Sequence, residues 1–263
     1  MTEPGRYLHG HDDSVLRSHR WRTAENSAGY LLGQLSPTAR VLDVGCGPGT
    51  ITADLAARLP RGHVVGVDAS ADVVEQASRA FPDVTFLEGD LADLPLPDGS
   101  FDVVHLHQVL QHLVDPVGAM AGLRRLIAPG GLLAARDADY GAMTWSPASA
   151  GLERWLELYR ACAHAVGGEP DAGRHLERWA GEAGYGSVTG SQDSWVFTSV
   201  EDRAWWASMW ADRVLGSGFA DVALSSGLAD RAELEQVAAA WRSFGAAEVG
   251  EFVVPHGEVL CRI

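Results

Sequence analysis

One short stretch restricts the fold more than any other. Residues 41–49 read Val-Leu-Asp-Val-Gly-Cys-Gly-Pro-Gly, an apolar run that passes into D-x-G-x-G-x-G. The apolar run is a buried strand, and from Gly49 to Leu59 the apolar spacing is helical until Pro60 stops it. Glycines in such a turn take positive φ and let the backbone pass close to a ligand. The spacing is not the dinucleotide fingerprint G-x-G-x-x-G, because position 50 is Thr and Pro48 separates the second and third glycines. By itself the turn is only a tight strand–helix connection.

A second element gives the turn a meaning. Asp68 ends the buried strand 63–69, twenty-one positions after Gly47. A carboxylate at the tip of the second strand accepts both ribose hydroxyls of a nucleoside, although alone it reads as a helix cap. A third element, Glu88-Gly89-Asp90-Leu91, ends the strand 84–90. There an aspartate can accept from an adenine amino group, and the next backbone N–H can bond a ring nitrogen. Taken singly it is a turn.

The pattern continues with strands at 101–107 and 132–138. A helix over 72–80 and a second over 116–128 lie between strands, the latter opened by Pro116 and closed by Pro129-Gly130-Gly131; 92–100 is a proline-rich loop. Strands alternating with helices imply βαβ units and a parallel sheet, and continuous apolar runs imply strands covered on both faces. Late strands at 194–199 and 256–263 bring the count to seven. After residue 140 the texture changes. All nine tryptophans lie outside 41–138, eight of them between 145 and 241. Amphipathic helices are predicted over 150–166, 201–215 and 229–244. The expected organisation is an N-terminal helical cap (1–40), an α/β cofactor-binding core (41–140), a helical lid and substrate region with a late strand near 188–199 (141–228), and a final helix and strand (229–263).

Composition narrows the partners. The 263 residues suit one large α/β fold. No run approaches the ~18 apolar residues of a membrane span, and no secretory signal is visible. The cysteines, Cys46, Cys162 and Cys261, are far apart and read as reduced thiols of a cytoplasmic protein. A net charge of −15 disfavours a nucleic-acid backbone as partner. A small-molecule acceptor is expected, with no nucleic acid and no membrane. Monomer and dimer both stay open.

VLDVGCGPGT, VVGVD, LEGDLADLPLPDGSFDVVHLHQVLQHLVDP and LRRLIAPGGLLAARD together resemble the class I S-adenosylmethionine-dependent methyltransferases, in register over 41–138. Within that family the chain resembles the quinone-methylase-like small-molecule enzymes. Tyr7-x-His-Gly-His and SVLRSHRWRTAENSAGYLL, with LDVGCGPGTIT, further resemble the dithiol S-methyltransferases related to gliotoxin bis-thiomethyltransferase. The resemblance implies a Rossmann-like, mostly parallel seven-stranded sheet with helices on both faces. It implies S-adenosyl-L-methionine as cofactor and S-adenosyl-L-homocysteine as product. It places Asp43, Gly45, Gly47 and Gly49 against the methionine portion and ribose, Asp68 on the ribose hydroxyls, and Ala69 against the adenine. It places Asp90 and Leu91 on the adenine edge, and the backbone near His107, with Gln108, at the amino-acid end. Tyr7 and Arg22 would touch the methionine end, Arg22 by pairing with its carboxylate.

Methyl transfer from a sulfonium is an in-line displacement with a neutral thioether leaving, so alignment and water exclusion do most of the work. A thiol of pKa ~8.5 is partly ionised at neutrality, whereas a phenol or carbon acid needs a base. His112 and Asp139 are the candidate bases; the first is otherwise packing or capping, the second a turn former. Gln111, Tyr140 and Trp145 sit in the loops after the fourth and fifth strands, where ligands of such sheets bind. Trp206, Trp210 and Arg213, at i, i+4 and i+7, share one helix face. They form an aromatic wall with a cation for a substrate carboxylate or amide, or else lid core and a surface charge.

The stretch 7–22 carries His9, His11 and His19, yet no fourth ligand of recognisable spacing follows and the chemistry needs no metal. From Ser14 onward its spacing is that of an amphipathic helix, with Val15, Leu16, His19 and Arg22 on one side; beside the roles that the resemblance implies for Tyr7 and Arg22, His11 and His19 would face the acceptor. The function expected is S-methylation of a reduced dithiol natural product, in secondary metabolism or self-protection. The alternatives are C- or O-methylation of a quinone, phenol or polyketide, and a non-catalytic cofactor-binding scaffold.

Overall fold

The computed structural model describes residues 19–263. Tyr7, His9, His11 and most of the helix expected from Ser14 lie outside them. Chain order is α1 (Ala24–Leu32), β1 (Arg40–Val44), α2 (Thr50–Arg58), β2 (His63–Asp68), α3 (Ala71–Ala80), β3 (Thr85–Glu88), β4 (Phe101–His107), α4 (Pro116–Leu123), β5 (Ile127–Ala138) and β6 (Thr144–Ser146). There follow α5 (Ala150–Ala165), α6 (Leu176–Glu182), β7 (Ser187–Phe197), α7 (Val200–Gly216), α8 (Gly218–Ser225), α9 (Arg231–Gly245) and β8 (Glu251–Arg262).

The sheet runs β3-β2-β1-β4-β5-β8, parallel as far as β5, with β8 antiparallel to β5 and β7 on the far side of β8. The three-residue β6 continues the track of β5 along β8, with Thr144 opposite Val253. The sheet is therefore seven strands wide although eight segments build it. Val41, Leu42, Val103, Val104, Leu106, Leu132 and Leu133 are buried between helical layers, as expected of strands without polar alternation. Strand order reverses between β1 and β4, which opens the crevice where such sheets bind ligands.

Several boundaries differ from expectation. The helix after β4 stops at Leu123 rather than 128, and β5 starts at Ile127 rather than 132. Ile127 pairs with Phe101, then the ladder shifts and resumes at Val103 with Leu132, so Pro129-Gly130-Gly131 form an irregularity inside the strand. Gly130, at φ +81°, takes the left-handed turn that this requires. Strand β7 spans the late strand expected near 188–199 rather than 194–199 alone, because its whole length pairs with β8. Its polar Gly190-Ser-Gln-Asp-Ser194 run hid that pairing.

The tryptophan-rich region closes over the carboxyl edge of the sheet. Trp155, Trp210 and Trp241, from α5, α7 and α9, are almost wholly buried. Trp155 meets Trp210 edge-on at 4.6 Å and Trp241 edge-on at 4.8 Å, and Phe252 of β8 joins them. The tryptophan excess is thus mainly lid core, with one side of it facing the site. Helix α1 is capped by a Thr23–Asn26 capping box and kinks at Ala28. Beside the kink the Asn26 carbonyl accepts from Arg136 Nη1 (3.1 Å) and Trp195 Nε1 (2.7 Å), which ties α1 to β5 and β7. Among the described residues no helix is long and apolar enough to cross a membrane.

Candidate active site

The loop after β1 is bent by three left-handed glycines, Gly45 (φ +69°), Gly47 (+54°) and Gly49 (+82°). A Cβ on Gly45 would stand 2.4 Å from Val109 Cγ2, and one on Gly49 2.6 Å from Phe86 Cζ. Both conformation and space therefore demand glycine. Asp68 holds the loop from the tip of β2: Oδ2 accepts from the Gly47 N–H (3.0 Å) and Oδ1 from the Ser70 N–H (3.1 Å). An ionised carboxylate has about four lone-pair sites, so both oxygens retain capacity for a ligand.

These residues open onto a cavity of about 450 Å³, within the range that encloses a nucleoside-sized cofactor. Gly45, Gly47, Asp68, Ala69, Asp90, Leu91, His107 and Gln108 line it, as do His19 and Arg22. Gly49 lies behind the lining as the N-cap of α2. Asp43 borders the cavity, but its oxygens serve the fold: Oδ1 pairs with His105 Nδ1 at 2.7 Å and Oδ2 accepts from the Thr52 hydroxyl at 2.6 Å. It stitches β1 to β4 and α2, so its part in the site is to shape the loop rather than to contact ligand through its carboxylate.

A second, smaller chamber of about 20 Å³ adjoins the first under the lid. Gln111, Tyr140, Trp206, Trp210 and Arg213 line it, and His19, Arg22, Gln108 and His112 line both spaces. The segment before α1 and the turn after β4 thus form the boundary between the two spaces. Arg213, expected on either the site or the surface, is buried, with its guanidinium 4.6 Å from the Trp210 ring. Two expectations are corrected. Asp139 lines neither space; its carboxylate binds Arg174 side-on, both Nε (2.9 Å) and Nη2 donating, so it is a turn anchor and not a base. Trp145 lies flat against Phe252 at 5.9 Å, half-buried against the lid core and outside the chamber lining.

Several lining residues had no signal in the sequence. Trp195 of β7 and Val254 of β8 enter the chamber only because β8 inserts between β5 and β7, whereas Met143 comes from the loop after β5. Asp137 went unassigned as well. Its Oδ1 accepts from the Gln111 N–H (3.2 Å), which fixes the turn carrying Gln111 and His112.

Burial dominates the ionisation of the site. It lowers His107, helped by Arg22 and Arg136, and it lowers His256, helped by the same two cations. It pushes His112 down to about 3, with Arg22 and Arg213 adding to the effect. Asp137 is pushed up to about 7 by burial, against the pull of its backbone donors. These three imidazoles are neutral at pH 7, so His112 is a hydrogen-bonding group and a weak base there.

A stability prediction follows from the signs. Below the ordinary imidazole value of ~6.5 the unfolded chain takes up protons that the three buried rings refuse. Stability present above pH ~6.5 is therefore lost on acidification, at up to ~1.4 kcal/mol per pH unit for each histidine. Asp137 acts oppositely: its raised value stabilises the fold below pH ~3.9, and that contribution is lost as pH rises to about 7. Three groups outweigh one. Urea midpoints should fall steadily from pH 7 to pH 5, and a midpoint that rises would contradict neutral buried rings. Among the described residues no group of three or more His, Cys, Asp or Glu is placed to hold a metal ion.

Comparison with known proteins agrees with this geometry. A family model described as a methyltransferase domain matches residues 35–193. An uncharacterised methyltransferase of Schizosaccharomyces pombe is 33% identical over 97% of the chain and 95% of its own length. A probable methyltransferase, ltbC, of Aspergillus luteorubrus is 32% identical over 77% of the chain and 78% of its own length. In fold, the chain superposes on a phosphoethanolamine N-methyltransferase of Haemonchus contortus, solved with S-adenosylhomocysteine. That match has a TM-score of 0.53 at 16% identity and covers 87% of this chain and 50% of the other. The glycine loop, the strand-tip carboxylates and the cavity at the strand-order reversal fit S-adenosylmethionine, and the chain is an enzyme that belongs to the class I S-adenosylmethionine-dependent methyltransferases.

Proposed function

We propose that the enzyme methylates a small molecule that meets the cofactor cavity on its lid side, and that the atom methylated is a thiolate sulfur of a reduced dithiol natural product, in secondary metabolism or self-protection. One observation carries this reading. The described residues lining the chamber include two guanidiniums, Arg22 and Arg213, two histidines, His19 and His112, the second held neutral, and no carboxylate. With two cations beside it and His112 a weak base, this wall of the chamber favours a nucleophile that arrives ionised. A thiol, with pKa ~8.5, does so far more than a phenol near ~10.

S-adenosylmethionine, when bound, supplies a methyl group on a sulfonium whose departure leaves a neutral thioether. The chain's own part is to hold and align. Asp68 takes the ribose hydroxyls, with Ala69 against the adenine and Asp90 and Leu91 at its edge. The backbone at His107 and Gln108 meets the amino-acid end, and Arg22 pairs with the carboxylate there, joined by Tyr7. Gln111, Tyr140, Trp206 and Trp210 give a flat, largely apolar acceptor its walls and exclude water, with His11 and His19 on the side of the N-terminal segment.

Incubation with methyl-labelled cofactor and a panel of dithiols, catechols and quinols tests the acceptor. Label on sulfur is expected, and label on oxygen or carbon alone would replace the thiol reading. Because Trp210 is also lid core, Trp210→Phe is the better probe of the wall. It should raise the acceptor KM by roughly an order of magnitude through one lost large aromatic contact. The affinity for S-adenosylhomocysteine should stay unchanged; equal effects on both would remove the wall.

A further inference from the structure

We propose that Gln108 is a positioning residue: its amide, clamped between Arg22 and His256, sets the Arg22 guanidinium at the boundary between cofactor cavity and acceptor chamber. The proposal rests on the reading that Arg22 pairs with the cofactor's carboxylate.

Among the described residues Gln108 is the one non-glycine residue with positive φ, +54°. A side chain in that conformation is costly and persists where its surroundings over-determine it. Here three bonds do so. Its backbone N–H donates to the Arg136 carbonyl at 2.7 Å, which continues the β4–β5 ladder one residue past β4. Its Oε1 accepts from Arg22 Nη2 at 2.7 Å. Its Nε2 stands 2.9 Å from His256 Nε2.

The direction of the last bond is determined. A guanidinium only donates, so the amide end facing Arg22 is the oxygen and the NH₂ faces His256. His256 Nε2 must then accept, which requires a neutral ring with its proton on Nδ1. His256 is buried, and burial with Arg136 and Arg22 nearby holds its pKa well below the ordinary value, in keeping with a neutral ring. The amide therefore has one orientation, and it fixes Arg22, in the segment before α1, against β8 on the opposite side of the site. Gln108 lines both spaces. Glycine would suit the backbone without strain but has no amide. Asparagine tolerates left-handed φ but falls one methylene short of spanning both partners.

The test is calorimetry of S-adenosylhomocysteine binding to the full chain. Gln108→Asn should weaken it about tenfold, the effect of one lost bond to a charged group. Arg22→Ala should weaken it at least as much, and adding Gln108→Asn to Arg22→Ala should do nothing more. Wild-type affinity in Gln108→Asn with a loss in Arg22→Ala would overturn the proposal and leave the Arg22 reading standing. Wild-type affinity in Arg22→Ala would overturn that reading and the proposal with it. Additive losses would show that Gln108 acts on its own, and would also overturn the proposal. Gln108→Gly should unfold at a temperature close to wild type yet bind as weakly as Gln108→Asn, which separates loss of the amide from loss of the fold. Nitrogen NMR of wild type should show His256 as the Nδ1–H tautomer, and an Nε2–H ring would be a second contradiction.

Discussion

Asp68→Ala is expected to weaken binding of S-adenosylhomocysteine by about a hundredfold, the equivalent of ~2.7 kcal/mol. The carboxylate accepts from the Gly47 and Ser70 backbone N–H groups, at 3.0 and 3.1 Å. It holds the glycine loop against the tip of β2, and in the proposed binding mode its remaining lone pairs take the ribose hydroxyls. Alanine removes both. Asn keeps the shape but not the charge, and one of its two ends donates, so Asp68→Asn should lose less than Ala and more than nothing. Titration calorimetry reads both variants directly. An affinity for the product within twofold of wild type in Asp68→Ala would show that the strand tip does not carry the nucleoside.

The second large effect is on stability. Arg136→Met should cost about 3–5 kcal/mol, because it leaves the buried Glu258 carboxylate without its cation. Arg136 is 1% exposed, and its Nε donates to Glu258 Oε1 at 3.1 Å. Its Nη1 donates to the Asn26 carbonyl at 3.1 Å, and its guanidinium stands 5.2 Å from the Trp195 ring. One cation thus joins β5, β7, β8 and α1. The melting temperature should fall by roughly 10 °C, at ~2–4 °C per kcal/mol for a chain of this size. Pairing the change with Glu258→Leu should recover much of the loss, since an apolar pair leaves no uncompensated charge. A double variant no more stable than Arg136→Met would show that the loss comes from the Asn26 and Trp195 contacts instead.

The two residues differ in how legible they were. Asp68 stood out because local chemistry forces it: a buried strand must end somewhere, and a carboxylate at that end, after a glycine turn, has a defined spatial meaning. The glycines were legible for the same reason, since positive φ at positions 45, 47 and 49 leaves few other residues. Asp43 shows the limit. It has the motif spacing, yet a buried His105 and Thr52 claim its oxygens, and nothing in the motif announces those partners. Asp139 was placed by its position after the fifth strand, but Arg174, thirty-five residues away, removes it from the site.

The parallel core, the order of its first five strands along the chain, and the glycine turn with Asp68 at the tip of β2 were all legible in the sequence alone. These follow from periodicity, turn chemistry and short-range spacing, which act within one βαβ unit. The lid-side chamber was not legible there, because it depends on long-range pairing. That β8 enters antiparallel between β5 and β7 is a long-range pairing, and it alone brings Trp195, Val254 and His256 to Gln108 and Arg22. Whether Trp210 or Arg213 is core, wall or surface depends on what burial surrounds it. Burial is set by contacts between residues far apart in the chain, and no local pattern encodes them.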